Sequence, residues 1–133
     1  MYKHILLPTD GSDLSMRAVS AGIELAKTLN AKVTGLFVSE ATYIHTIDGN
    51  PKPRAEAALS TVEKLAKEAG VLSDCVSMAG DTPQDAIIQI VKEEGCDLII
   101  MGTHGRSRIG KFILGSVAAS LLADCEIPVL LYR

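Results

Sequence analysis

An α/β fold built on a parallel sheet is predicted by three features of this chain. Short apolar runs of strand length alternate with longer stretches whose apolar residues recur at helical spacing. The elements follow in the order βαβαβαβαβ, and strands separated by helices run parallel, with helices on both faces of the sheet. The strands read at 5–7 and 97–101 are apolar almost throughout, as central strands covered on both faces should be.

Each element has its own signal. Ile5-Leu6-Leu7 is a buried strand, read as ending at Pro8. From Ser12 to about Asn30, Met16, Val19, Ile23 and Ala26 mark one helix face. Lys32 to Val38 is the second strand, rich in β-branched and aromatic residues. Residues 39–53 hold Asp48-Gly49-Asn50-Pro51 and Pro53 and read as a flexible connection. Ala55, Ala58, Leu59, Val62, Leu65, Ala66 and Ala69 form the next helix face, closed by Gly70. Asp74 to Met78 is a short strand with polar alternation. Thr82 then serves as a cap for free N–H groups, Pro83 suits the first helical position, and Asp85 suits the positive helix end. The strand at 97–101 follows, then a polar, glycine-rich stretch from Gly102 to Leu114. A fourth helix starts near Ser116 with Val117, Leu121 and Leu122, and Ile127 to Tyr132 is the last strand.

The 133 residues fit one domain, 1–133. A chain of this size buries roughly two thirds of its unfolded surface and folds without a metal or a disulfide. The net charge of -3 argues against a general nucleic-acid binder, whose footprint is basic. Cys75, Cys96 and Cys125 are odd in number and form no CxxC pair, so they read as core residues of a reducing compartment. There is no signal peptide and no apolar stretch near the ~20 residues that cross a bilayer, so the expectation is a cytoplasmic protein without a membrane partner.

Ligands of such sheets bind beyond the carboxyl ends of the central strands, where the winding reverses. Pro8-Thr9-Asp10-Gly11-Ser12 leaves one such end, and the stretch from Gly102 leaves the other. That second stretch carries His104, Arg106, Arg108 and Lys111 with no acid before Ser116, a local cationic patch in an acidic protein. Its glycines let main-chain N–H groups turn towards a ligand. Gly115 and Ser116 lie where the fourth helix begins, and a helix N-terminus favours phosphate. The features together describe a polyanion site, best suited to a nucleotide. Gly105-Arg106-Ser107-Arg108-Ile109-Gly110-Lys111 imitates a Walker A loop, but Phe112 follows where Ser or Thr must hold Mg²⁺. The dinucleotide fingerprint is absent after the first strand.

On these residues the chain resembles the universal stress protein family over nearly its whole length. The likeness rests on Ile5-Leu6-Leu7-Pro8-Thr9-Asp10-Gly11-Ser12, Asp97 to Gly105, Gly115-Ser116-Val117-Ala118 and Ile127-Pro128-Val129-Leu130. It implies an open five-stranded parallel sheet, order 3-2-1-4-5, of the adenine nucleotide alpha hydrolase type. In the family's ATP-binding branch a Gly-x2-Gly-x9-Gly-(Ser/Thr) loop wraps the phosphates. That pattern carries over to Met101, Gly102, Gly105, Gly115, Ser116 and Val117, with Thr103, His104, Arg106 and Arg108 inside the loop. The resemblance also puts Pro8, Thr9 and Asp10 by the ribose and adenine, and gives the adenine edge the main-chain groups of Val38. The implied cofactor is ATP, with Mg²⁺ or Mn²⁺ held by its phosphates.

No constellation here matches a dedicated NTPase, although Asp10 or His104 has the chemistry of a base. The leading expectation is a nucleotide-dependent switch or sensor whose surface another protein reads. A slow ATPase or phosphotransferase, and a scaffold that takes AMP or cyclic AMP, are the alternatives. The inferred order puts Ile127–Tyr132 at a sheet edge, and an apolar edge invites pairing, so a two-fold homodimer through this strand is expected.

Overall fold

A computed structural model describes residues 1–39, 52–80, 82–104 and 114–133. The elements are β1 (His4–Thr9), α1 (Asp13–Leu29), β2 (Lys32–Ser39), α2 (Lys52–Ala69), β3 (Ser73–Ala79), α3 (Pro83–Glu94), β4 (Leu98–Gly102), α4 (Ser116–Asp124) and β5 (Val129–Tyr132). The five strands form one parallel sheet in the order β3-β2-β1-β4-β5, as the resemblance implied.

Alternation along each strand splits the core in two. Ile5, Leu7, Val33, Leu98 and Ile100 pack against Val19, Ile23 and Ala26 of α1 and Val62 and Ala66 of α2. Leu6, Leu36, Ile99 and Met101 face the other way, onto Ile87, Ile90 and Val91 of α3 and Ala118 and Leu121 of α4. Each fully buried Leu or Ile contributes about 1.5–3 kcal/mol relative to exposure. The apolar runs of β1 and β4 therefore reflect helices on both faces, while β3 at one edge is half covered and alternates.

Several boundaries differ from the sequence reading. β1 does not stop at Pro8 but runs on to Thr9. α2 starts at Lys52, so Pro53 belongs to its first turn, where a missing N–H has no helical partner to lose. The rest of the expected connection, 40–51, lies outside the described residues. Thr82 is the N-cap of α3, yet its hydroxyl bonds Asp85 Oδ2 at 2.9 Å and caps no N–H. Asp97 precedes β4, and its carboxylate accepts the N–H groups of Lys3 at 2.8 Å and His4 at 3.0 Å. β5 begins at Val129, with Ile127 and Pro128 ahead of it.

The cysteines do not share one environment. Cys96 is buried, and that burial, with Glu94 and Asp97 nearby, pushes its thiol up to about 12. Cys125 is half-buried. Cys75 is exposed rather than in the core, because it sits on the edge strand β3. Among the described residues no helix is long and apolar enough to cross a membrane.

Candidate functional site

The sheet opens between β1 and β4, the two strands at which the winding reverses. Lys3 gives its carbonyl to Lys32 of β2 and His4 gives its carbonyl to Asp97. Even-numbered residues of β1 therefore turn their main-chain groups towards β4. Pro8 is one of these, and it has no N–H to offer. The β1–β4 register runs through Ile5↔Leu98 and Leu6↔Ile99, whereas pairing with β2 continues to Thr9↔Phe37. A proline in a central strand thus stands just past the described end of the ladder to β4, at the strand end where sheets of this type take their ligands in a crevice.

One wall of the crevice is the turn from β1 into α1, and its polar groups are saturated by one another. Thr9 is 6% exposed, and its Oγ1 accepts the N–H of Gly11 at 3.0 Å and lies 2.7 Å from Ser15 Oγ. Asp10 accepts the N–H of Ser12 at 2.9 Å, closing an Asx turn. Gly11 has φ +82°, a value that disfavours a side chain there. Ser12 caps α1 by accepting the N–H of Ser15 at 3.3 Å, and Asp13 adds an acid to the first turn.

The opposite wall is the exit of β4. Gly102 closes the strand, and a Cβ there would lie 3.2 Å from Leu14 Cγ of α1. A side chain at 102 would push the two walls apart. The Thr103 carbonyl accepts the N–H of Gly115 at 2.6 Å, so the two ends of the 104–114 segment are pinched together. A Cβ at Gly115 would meet His104 Cα at 3.0 Å and the Thr103 carbonyl oxygen at 3.1 Å, both main-chain atoms. Gly115 is extended, with φ -62° and ψ 155°. Space, and not a left-handed backbone, is what requires glycine at this position.

Immediately beyond the pinch, α4 begins with no side-chain cap and no acid in its first turn. Among the described residues no side chain caps its first-turn N–H groups, and a helix end of this kind suits an anion. Ser116 is exposed there, and Val117 is half-buried against the α3–α4 core. His104 is half-buried, with Nδ1 3.2 Å from Thr103 Oγ1.

The structure thus brings Pro8, Thr9 and Asp10 to one side, and Gly102, Thr103, His104, Gly115, Ser116 and Val117 to the other. Met101 is buried in the α3–α4 core, so its main chain alone is left to serve a site. Val38 is one residue past the last β1–β2 pair, and its main-chain groups face β1, since Lys32 N–H bonds Lys3 and Val33 N–H bonds Leu72. Gly105, Arg106, Arg108 and Lys111 lie outside the described residues. Sequence reasoning missed Leu14, which touches the Gly102 position, and Ser15, which anchors Thr9. The spacing of Ser12 and Ser15 was the available signal, because a hydroxyl three residues after an N-cap serine falls back onto the same turn.

Comparison with known proteins gives a consistent result. The model of the Universal stress protein family matches residues 1–133. A universal stress protein of Methanocaldococcus jannaschii, MJ0531, is 32% identical over 142 residues, covering 100% of this chain and 83% of that protein. The solved structure of hypothetical protein MJ0577 superposes with a TM-score of 0.82 at 26% identity, covering 99% of this chain and 96% of that one. A universal stress protein solved in complex with cAMP superposes with a TM-score of 0.77 at 29% identity, covering 99% and 97%.

Proposed function

Because the chain belongs to the universal stress protein family, we propose that residues 1–133 form an ATP-binding domain that works as a nucleotide-dependent switch in the cytoplasm. One observation carries the reading. The uncapped, acid-free N-terminus of α4 begins beside a neck in which a Cβ at Gly115 would be crowded by main-chain atoms. A phosphate at that point would gain main-chain donors and the positive helix end. Gly102, Thr103, His104, Gly105, Gly115, Ser116 and Val117, with Arg106 and Arg108, would hold the phosphates. Pro8, Thr9, Asp10 and Val38 would line the nucleoside. Mg²⁺ or Mn²⁺ would travel with the phosphates, which supply hard oxygen ligands.

Calorimetric titration of the purified chain with Mg·ATP tests the reading. Saturable binding at micromolar to millimolar ATP is expected, and no heat at any concentration in that range would overturn it. Protease protection of the 102–114 segment by ATP tests the switch. Equal cleavage with and without nucleotide would reject it.

A second reading, cyclic AMP in the same crevice, draws on the relative solved with cAMP. Displacement of ATP by equimolar cAMP would favour it. The chain is read as having no dedicated catalytic activity. Phosphate release that vanishes in Asp10→Ala while ATP still binds would make it a slow ATPase instead. A homodimer through Ile127–Tyr132 is also proposed, because β5 is an edge strand and Leu130 is 43% exposed on it. A monomer mass by light scattering would contradict it.

A further inference from the structure

Ser15 stands in the first turn of α1, is 5% exposed, and lies behind the turn that carries Asp10. Its Oγ is 3.0 Å from the Ser12 carbonyl and 2.7 Å from Thr9 Oγ1. If Ser15 donates to Ser12, the Thr9 hydroxyl donates to Ser15, and a chain runs from Gly11 N–H through Thr9 and Ser15 to the Ser12 carbonyl. In the other proton order, Ser15 donates to Thr9 and Thr9 to the Met16 sulfur, 3.3 Å away. Both orders keep the Ser15–Thr9 pair and the Gly11 N–H on Thr9.

Asp10 sits between two residues that are each tied to Ser15. Thr9 is held through its hydroxyl, and Ser12 through its Oγ, which accepts the Ser15 N–H at 3.3 Å. Ser12 in turn holds the Asp10 carboxylate through its own N–H. Among the described residues, no buried side-chain nitrogen or oxygen is left without a partner, so the network is complete as it stands. Removing one hydroxyl from a complete buried network leaves its neighbours unpaired and free to move.

We propose that Ser15 is a positioning residue for nucleotide binding, acting through Thr9 and Ser12 to set the Asp10 carboxylate against the nucleoside. The inference rests on the ATP-binding reading above. The test is a double-mutant cycle in ATP affinity on the full chain, using wild type, Ser15→Ala, Asp10→Ala and the double variant. Ser15→Ala alone is expected to weaken ATP about five- to tenfold, and less than about twofold when Asp10 is already alanine. Ser15→Thr, which keeps the hydroxyl, is expected to restore at least half of the lost affinity. An equal loss in both backgrounds would mean that Ser15 only supports the fold, and no loss from Ser15→Ala would remove the role altogether. If Ser15→Ala does not fold, Thr9→Val takes its place in the same cycle, with the same two overturning results. A wild-type chain that fails to bind ATP defeats the nucleotide reading itself, and is readily told apart from a wild type that binds while Ser15→Ala binds equally well.

Discussion

The turns that leave β1 and β4 do the same topological job in opposite chemical states. Each follows a central strand and starts a helix at the carboxyl edge of the sheet. At α1 the protein fills the helix N-terminus itself: Ser12 caps it, and Asp13 occupies the first helical position. At α4 the corresponding positions are Gly115 and Ser116, with neither a cap bond nor an acid in the first turn. A side-chain cap is worth about 1 kcal/mol, and a first-turn acid adds about 0.3–1 kcal/mol. The second helix forgoes both among the described residues. A saturated turn is rigid and holds a side chain such as Asp10 in place. On the proposed reading, the uncapped one takes the ligand.

The contrast can be attacked at four points. The largest effect belongs to Gly115→Ala, whose methyl would press on main-chain atoms that cannot rotate away. ATP affinity should fall about a hundredfold, and overpacking should lower stability by about 1–3 kcal/mol. Titration calorimetry and urea melts measure the two losses, and near-wild-type affinity would show that the neck is not part of the site.

Ser116→Asp gives α4 the first-turn acid that α1 has in Asp13. Thermal stability should hold or rise by about 0.3–1 kcal/mol while ATP affinity drops about tenfold, because the acid competes with phosphate for the same helix end. Parallel changes in both quantities would break the comparison.

Ser12→Ala removes the cap from the closed turn. It should cost about 1 kcal/mol in urea unfolding, and a cost near zero would mean that the bond to Ser15 N–H contributes little.

The last effect is invisible at neutral pH. The Cys96 thiol is raised in the fold from near 9 to about 12, chiefly by burial. The fold therefore prefers the protonated form, and this contribution is fully present below pH 9 and lost as pH rises towards 12. Melting curves across that window should fall less steeply for Cys96→Ala, and identical slopes would assign the alkaline loss to other groups.

Part of the candidate site was legible in the chain itself. Gly102, Gly115 and Ser116 stood out because they fall at the end of a buried strand and the start of a helix, and the structure brings them to the carboxyl edge of the sheet. The reason for Gly115 was not legible. The sequence suggested backbone freedom, whereas the structure shows a steric need set by His104 and Thr103. Thr82 takes the N-cap position as read, but its hydroxyl turns to the Asp85 carboxylate three residues on and caps no N–H. Cys75 looked like a core residue and is exposed, because hydrophobicity does not say which strand lies at an edge.

Element type and order followed from periodicity alone, because one face of each helix and both faces of each central strand must be apolar wherever they end up. The strand order came from the family resemblance, and the candidate site was placed by local patterns that survive without knowing any contact. The pairing of Ser15 with Thr9, the parting of β1 from β4 at Pro8, and the pinch between Thr103 and Gly115 were decided only by the tertiary structure. Each depends on distances between main-chain segments that come from packing the whole sheet, and no local stretch of residues carries that information.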